Sequence, residues 1–134
     1  MSGSDRRWTP VMLGGDVPPP KGAYSPGVRV GELLFVSGQV PRNPRTGQLE
    51  GKTVAEQTRR VIENLRLVLE AAGGTLDDVV ATTCYLADAN DWDAFNAEYR
   101  SIFRAPYPTR TTVGAGLRDV LVEISAIAHL GRKT

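Results

Sequence analysis

The 134 residues carry 16 lysines and arginines against 15 aspartates and glutamates, so no net field draws the chain to nucleic acid or to an anionic membrane. A single cysteine, Cys84, and a single histidine, His129, exclude an intrachain disulfide and a Cys/His metal cluster, and they suit a reducing, cytoplasmic setting. One domain over residues 1–134 is expected, with a core of its own, no apolar leader in M-S-G-S-D-R-R-W and no stretch near the roughly 18 apolar residues of a membrane span.

Met1–Arg7 is small, polar and charged and is expected to be disordered, and Trp8–Leu13 reads as a short edge strand before Gly14-Gly15. Pro18, Pro19 and Pro20 hold the next segment in extended polyproline II, and Pro26 keeps Ser25 out of helix. A stiff arm therefore presents Tyr24. Val28–Val30, the turn Gly31-Glu32 and Leu33–Ser37 read as a β-hairpin ending at Gly38, where a ligand can approach the backbone closely. Asn43–Gly51 is a polar loop of turn formers, and Thr53-Val54-Ala55-Glu56 has the capping-box pattern that opens a helix.

That helix lines up Val54, Val61, Leu65, Val68, Leu69 and Ala72 on one side, sets Arg59, Arg60, Glu63 and Arg66 on a solvated face, and stops at Gly73-Gly74. Val79–Ala87 is a β-branched strand in which Cys84 is expected to act as a small core residue. Asn90 or Asp91 is expected to cap a second helix whose Trp92, Phe95, Tyr99 and Ile102 form one buried stripe, with Asn96 beside it. Two further strands lie between Pro108 and Leu130, with His129 as an edge or interface residue. The order predicts an α+β fold with both helices on one face of a single sheet. Leu121 and Ile127 make the other face too apolar to stay wet, so a second subunit is expected to cover it.

The last two strands hold the candidate chemistry. Val120, Val122, Ile124, Ala126, Ala128 and Leu130 alternate as one apolar face, which leaves Glu123 on the other face with Leu121, Ser125, Ile127 and His129. If these strands form an antiparallel hairpin about Gly116 and Leu117, Arg110 and Glu123 stand opposite each other. Such a pair is a candidate site on geometry alone, and it can equally be a structural ion pair that fixes register.

Six segments in order then carry a resemblance: G-A-Y-S-P-G-V-R-V-G-E-L-L-F-V-S-G-Q-V-P at 22–41, N-L-R-L-V-L-E-A-A-G-G at 64–74, D-V-V-A-T-T-C-Y-L-A-D at 78–88, F-N-A-E-Y at 95–99, P-T-R-T-T-V at 108–113 and L-V-E-I-S-A-I-A at 121–128. Together they resemble the RidA family, also called the YjgF or L-PSP endoribonuclease-like family. The resemblance implies a chorismate-mutase-like α+β fold, a homotrimer with an inner barrel of sheets and helices outside, and three sites in the clefts between subunits. It also implies a metal- and cofactor-independent hydrolase of the 2-iminobutanoate/2-iminopropanoate deaminase type, which turns enamines and imino acids such as 2-aminoacrylate into keto acids and ammonia. On this resemblance Arg110 binds the substrate carboxylate, Glu123 positions or activates the attacking water, and Tyr24, Gly38 and Asn96 line the pocket. Thr112 stands where many members have a cysteine, Ser125 where many have a second glutamate, and the turn after Thr112 is about two residues shorter than in archetypal members. Two other functions compete: a non-catalytic trimer that binds small acids or acts as a chaperone-like partner, and an endoribonuclease, which the near-zero charge and single histidine disfavour.

Overall fold

Residues 5–131 are described by a computed structural model; at 1–4, the lead expected to be disordered lies outside the described residues. Strands β1 (Thr9–Val11), β2 (Gly27–Val30) and β3 (Leu33–Gln39) precede helix α1 (Val54–Ala71); β4 (Val79–Leu86), helix α2 (Trp92–Ile102), β5 (Thr109–Gly114) and β6 (Val122–His129) follow. They build one six-stranded sheet in the order β1-β2-β3-β6-β4-β5, antiparallel throughout except for the parallel pair β4–β5.

The local signals explain the elements. Thr53 accepts a hydrogen bond from the Glu56 backbone N–H at 3.1 Å while the Glu56 carboxylate accepts one from the Thr53 N–H at 3.2 Å, the reciprocal arrangement that satisfies two free donors at a helix start. The β2–β3 turn holds Gly31 at φ +59, a left-handed conformation that glycine adopts without a Cβ penalty. Asp91 stands at the N-cap of helix α2, one of the two positions expected, but makes no side-chain capping hydrogen bond there; the Asp88 carboxylate instead accepts the Asn90 N–H at 2.9 Å at the head of a short 3-10 turn, Ala89–Asp91, which leads into the helix. Within α2, Phe95 and Tyr99 are buried, but Trp92 is 43% exposed, so the expected stripe is buried only beyond its first turn.

Leu34, Val36, Ile62, Leu65, Leu69, Leu86, Val122 and Ile124 form the centre of the core between sheet and helices, each withdrawing apolar surface from water. Cys84 is fully buried among them. The polar face of α1 is more engaged than a simple solvated surface: Arg59 pairs with Glu98 of α2, and Arg60 reaches both Glu50 and the Asn64 side chain.

The expected hairpin between the last two strands does not form. β6 lies in the middle of the sheet between β3 and β4, and β5 is an edge strand beyond β4. The physical reason is burial: the inward residues of β6, Val122, Ile124, Ala126 and Ala128, are all buried, whereas β5 buries no residue fully. An apolar strand gains most with a neighbour on both sides, and residues 115–121 form a connection longer than a tight hairpin turn. Leu121 is also displaced from the expected face, since it precedes β6 and packs against the core. The face away from the helices keeps Leu33, Phe35 and Val113 exposed and Ile127 half-buried.

Candidate functional site

The sheet register decides where the candidate residues point. Residues directly paired across a ladder share a face. Arg110 pairs with Thr82, which is buried and meets the Tyr99 hydroxyl of α2 at 2.9 Å, so Arg110 lies on the helix side. Glu123 pairs with Tyr85, on the opposite side. Arg110 and Glu123 are thus on opposite faces of the sheet, not opposite each other on one face.

On the helix side the Arg110 guanidinium carbon stands 4.8 Å from the Tyr99 ring centre, 5.3 Å from Trp92 and 5.5 Å from Phe95. Three aromatic faces present negative quadrupole to the cation and shield it from water without neutralising it. No ion pair to Arg110 forms among the described residues. The cation borders a cavity of about 310 Å³ together with Asn96, Tyr99, Arg100, Tyr107 and Pro108. Thr112, two residues along the same face, has a buried hydroxyl without a hydrogen-bond partner. Its ladder neighbour Cys84 is paired with it across β4–β5, and burial pushes the Cys84 thiol up to about 11, so it stays protonated and unreactive at neutral pH. The Tyr99 hydroxyl is likewise pushed above its ordinary value, first by burial.

Glu123 belongs to a larger groove of about 890 Å³. The polyproline arm with Pro18, Pro19, Pro20 and Tyr24 forms one wall, Gly38–Val40 a second, and Gly116–Val120 a third. The carboxyl is half-buried and burial holds its pKa above the ordinary 4.5, because a low-dielectric setting disfavours the anion. Gly38 makes room for it: a Cβ there would overlap Glu123 Oε2. The β3–β6 register shifts between Val36 and Gln39, so this glycine sits at an irregularity that brings backbone close to the carboxyl. Ser125 pairs with Thr83 on the same outer face as Glu123, and Asp119 in the turn before β6 has φ +62.

The six candidate residues therefore divide. Arg110 and Asn96 share one cavity, with Thr112 on the same strand face; Glu123, Gly38 and Tyr24 share the other. The aromatic enclosure of Arg110 by Trp92, Phe95 and Tyr99 is the feature the sequence pattern hid, because a helical aromatic stripe reads simply as core. Trp92's exposure marks where that stripe leaves the core for the cation. Among the described residues no group of His, Cys, Asp and Glu could hold a metal ion, and no helix is long and apolar enough to cross a membrane.

A mixed six-stranded sheet with two helices and an enclosed cation on one side, a half-buried carboxylate on the other, defines an α+β protein with two separate polar clefts. The chain matches the family model described as Endoribonuclease L-PSP over residues 15–130. A RutC family protein of Saccharolobus solfataricus is 51% identical over 114 residues, covering 84% of this chain and 90% of that protein. The 2-iminobutanoate/2-iminopropanoate deaminase of Escherichia coli strain K12 is 39% identical over 112 residues, covering 80% and 87%. The crystal structure of Escherichia coli TdcF with bound serine matches with a TM-score of 0.79 and 35% identity, covering 88% of this chain and 97% of that one. The chain belongs to the L-PSP family, the family of RidA and YjgF.

Proposed function

We propose that this protein hydrolyses small imino acids to keto acids and ammonia, as a deaminase of the 2-iminobutanoate/2-iminopropanoate type, in sites that two copies of the chain complete together. The observation that carries the reading is the division of the candidate residues: an unpaired, aromatic-shielded Arg110 on one sheet face and a half-buried Glu123 on the other. Neither cleft alone holds both a carboxylate clamp and a proton-handling group. In a ring of copies, the Arg110 cleft of one lies against the Glu123 groove of the next, and the exposed Leu33, Phe35 and Val113 are covered. A homotrimer is the ring this reading adopts.

In such a site Arg110 binds the substrate carboxylate through two parallel hydrogen bonds, a geometry suited to a planar guanidinium. Asn96, in the same cavity, offers a further polar contact beside it. The imine carbon then faces Glu123 in the groove next to Gly38 and Tyr24. With the imine entering as its protonated iminium, Glu123 takes a proton from water as the water oxygen adds to the C=N carbon, which leaves a neutral carbinolamine bearing NH2 and OH. Glu123 returns that proton to the NH2 group, and when the C–N bond then breaks, the hydroxyl proton passes to Glu123 as the C=O bond forms. The keto acid and ammonia result; one water is consumed. A carboxyl whose pKa is raised toward neutrality is better matched to this two-way transfer than an ordinary one. The substrate is already reactive toward water, so a modest barrier reduction suffices. The serine bound to TdcF supports a ligand with a carboxylate and a neighbouring nitrogen, and it would equally suit a non-catalytic binder of the same fold. Endonuclease chemistry is less well supported: His129 is exposed at the far end of β6, roughly 20 Å along the strand from Glu123, and its ring nitrogen meets Glu32 at 3.3 Å.

The test generates imines in place with an amino-acid oxidase and competes their loss against semicarbazide. Arg110→Ala should raise KM by roughly 100-fold, and Glu123→Ala should lower kcat by about 10²- to 10⁴-fold with KM little changed. Because Glu123 acts as a base when ionised and its pKa is raised, kcat/KM should climb with pH through a limb lying above 4.5, and Glu123→Gln should abolish that limb. No acceleration by the wild type with any amino acid tried would sink the deaminase reading and leave the binder.

A further inference from the structure

Helix α1 carries two buried amides, Gln57 and Asn64, seven residues apart and hence on one side of the helix. Both sit in a stripe whose other buried members, Thr58 apart, are apolar, and there a polar side chain is costly unless its hydrogen bonds are made. Gln57 Oε1 accepts the backbone N–H of Leu121 at 2.8 Å, and its Nε2 donates to the Gly51 carbonyl at 3.1 Å. Asn64 Nδ2 donates to the carbonyls of Val40 and Arg42, each at 2.9 Å. One amide therefore grips the segment entering β6, the other the segment leaving β3. Those two segments are the walls of the Glu123 groove.

The Leu121 contact is the more telling. Leu121 lies two residues before Glu123, and its carbonyl is taken by the Ala87 N–H at 3.0 Å, so both of its backbone polar groups are held. Asp119, two residues earlier, adopts a left-handed φ of +62, a conformation that costs a non-glycine residue energy and persists where neighbouring contacts hold it. The hydrogen bond from Leu121 to Gln57 is the tether on the helix side of that turn.

We infer that Gln57 is a positioning residue for the imine-hydrolysing site: through the Leu121 backbone it sets where β6 begins and so where the Glu123 carboxyl stands in its groove. The inference rests on the deaminase reading for its kinetic consequence, but not for its geometric one. Gln57 acts on the Glu123 half and does not touch the Arg110 cavity. Its loss therefore disturbs water activation more than substrate capture, because small misplacements of a proton-handling group are expensive in rate.

The test compares wild type, Gln57→Met, which keeps the length and loses both hydrogen bonds, and Gln57→Glu, which keeps an acceptor for Leu121. In the imine assay Q57M should lose about 10- to 100-fold in kcat with KM within about twofold, and Q57E should recover most of the loss. Equal losses in Q57M and Q57E, a Q57M effect confined to KM, or no effect on kcat would each overturn the inference. A readout independent of catalysis is the Glu123 carboxyl carbon shift, titrated by NMR. Lys21, Tyr24, Arg42, Arg118 and Asp119 line the same groove and are unchanged by the substitution, so a lower Glu123 pKa in Q57M reports greater access of water to a displaced carboxyl. An identical titration in the two proteins would overturn the inference even if wild type proved inactive on imines, an outcome that by itself counts against the deaminase reading alone. Should Q57M fail to fold, amide exchange in the wild type decides: a Leu121 N–H that exchanges as fast as its neighbours Gly116 and Leu117 shows no tether, and slow exchange supports it.

Discussion

Glu123 and Gly38 depend on each other at the scale of single residues. The carboxyl occupies space that any side chain at position 38 would take, and it does so half-buried, with its pKa raised by desolvation. The linkage follows from that sign. The folded state holds the Glu123 proton more tightly than the unfolded chain does, so ionised Glu123 costs stability as pH rises through the interval above 4.5. On the deaminase reading, function and stability are opposed at this position, as is common where a site needs a strained or desolvated group. Gly38→Ala should force the carboxyl aside and lower kcat by about 10-fold or more, while thermal unfolding shifts little, since the clash can be relieved by rotating one surface-facing side chain. Wild-type turnover in Gly38→Ala would show that the carboxyl's position is not used. Arg110 is the complementary case, a half-buried cation beside three aromatic faces and without an ion pair among the described residues.

Among the elements, α1 is both a core helix and a fastening for the site. Its start depends on the Thr53–Glu56 box, so Thr53→Ala should lower stability by about 1 kcal/mol, measured by denaturant unfolding, without changing kcat; no loss would mean that tertiary packing alone sets the helix start. The Glu56 carboxylate has its pKa lowered by the backbone hydrogen bonds from Lys52 and Thr53, so its share of that cap is present above about 4.5 and fades as pH falls through the lowered value. This cap, the apolar stripe of α1 and the alternation of β6 were legible in the sequence because each depends on residues close in the chain. The neighbours of β5 and β6 were not. Adjacent strands with glycines between them suggest a hairpin, and only the comparison of an edge-like T-R-T-T-V with a strand apolar at every inward position argues that β6 takes the centre. That one difference moved Arg110 and Glu123 to opposite faces. Gln57 left a fainter trace, a polar residue four positions before Val61 in a mostly apolar stripe, where a buried amide implies a partner whose identity lies 64 residues away.

For the whole molecule, the separated clefts and the apolar sheet face make the same demand. Leu33, Phe35 and Val113 are exposed together with the groove that contains Glu123, and a heterologous ring would cover them while bringing the Arg110 cleft of one copy to the Glu123 groove of another. A complete site would then belong to an interface and not to a chain. The most direct measurement mixes two variants that are each nearly inactive at substrate well below the wild-type KM, Arg110→Ala and Glu123→Ala, by refolding them together, with hybrid assemblies verified by native mass spectrometry. If each site takes its arginine from one copy and its glutamate from the next, random assembly of an equal mixture restores intact sites at about a quarter of the interfaces, and imine hydrolysis returns to about a quarter of the wild-type level. Hybrids that form and stay as inactive as the two parents would contradict a site shared between copies.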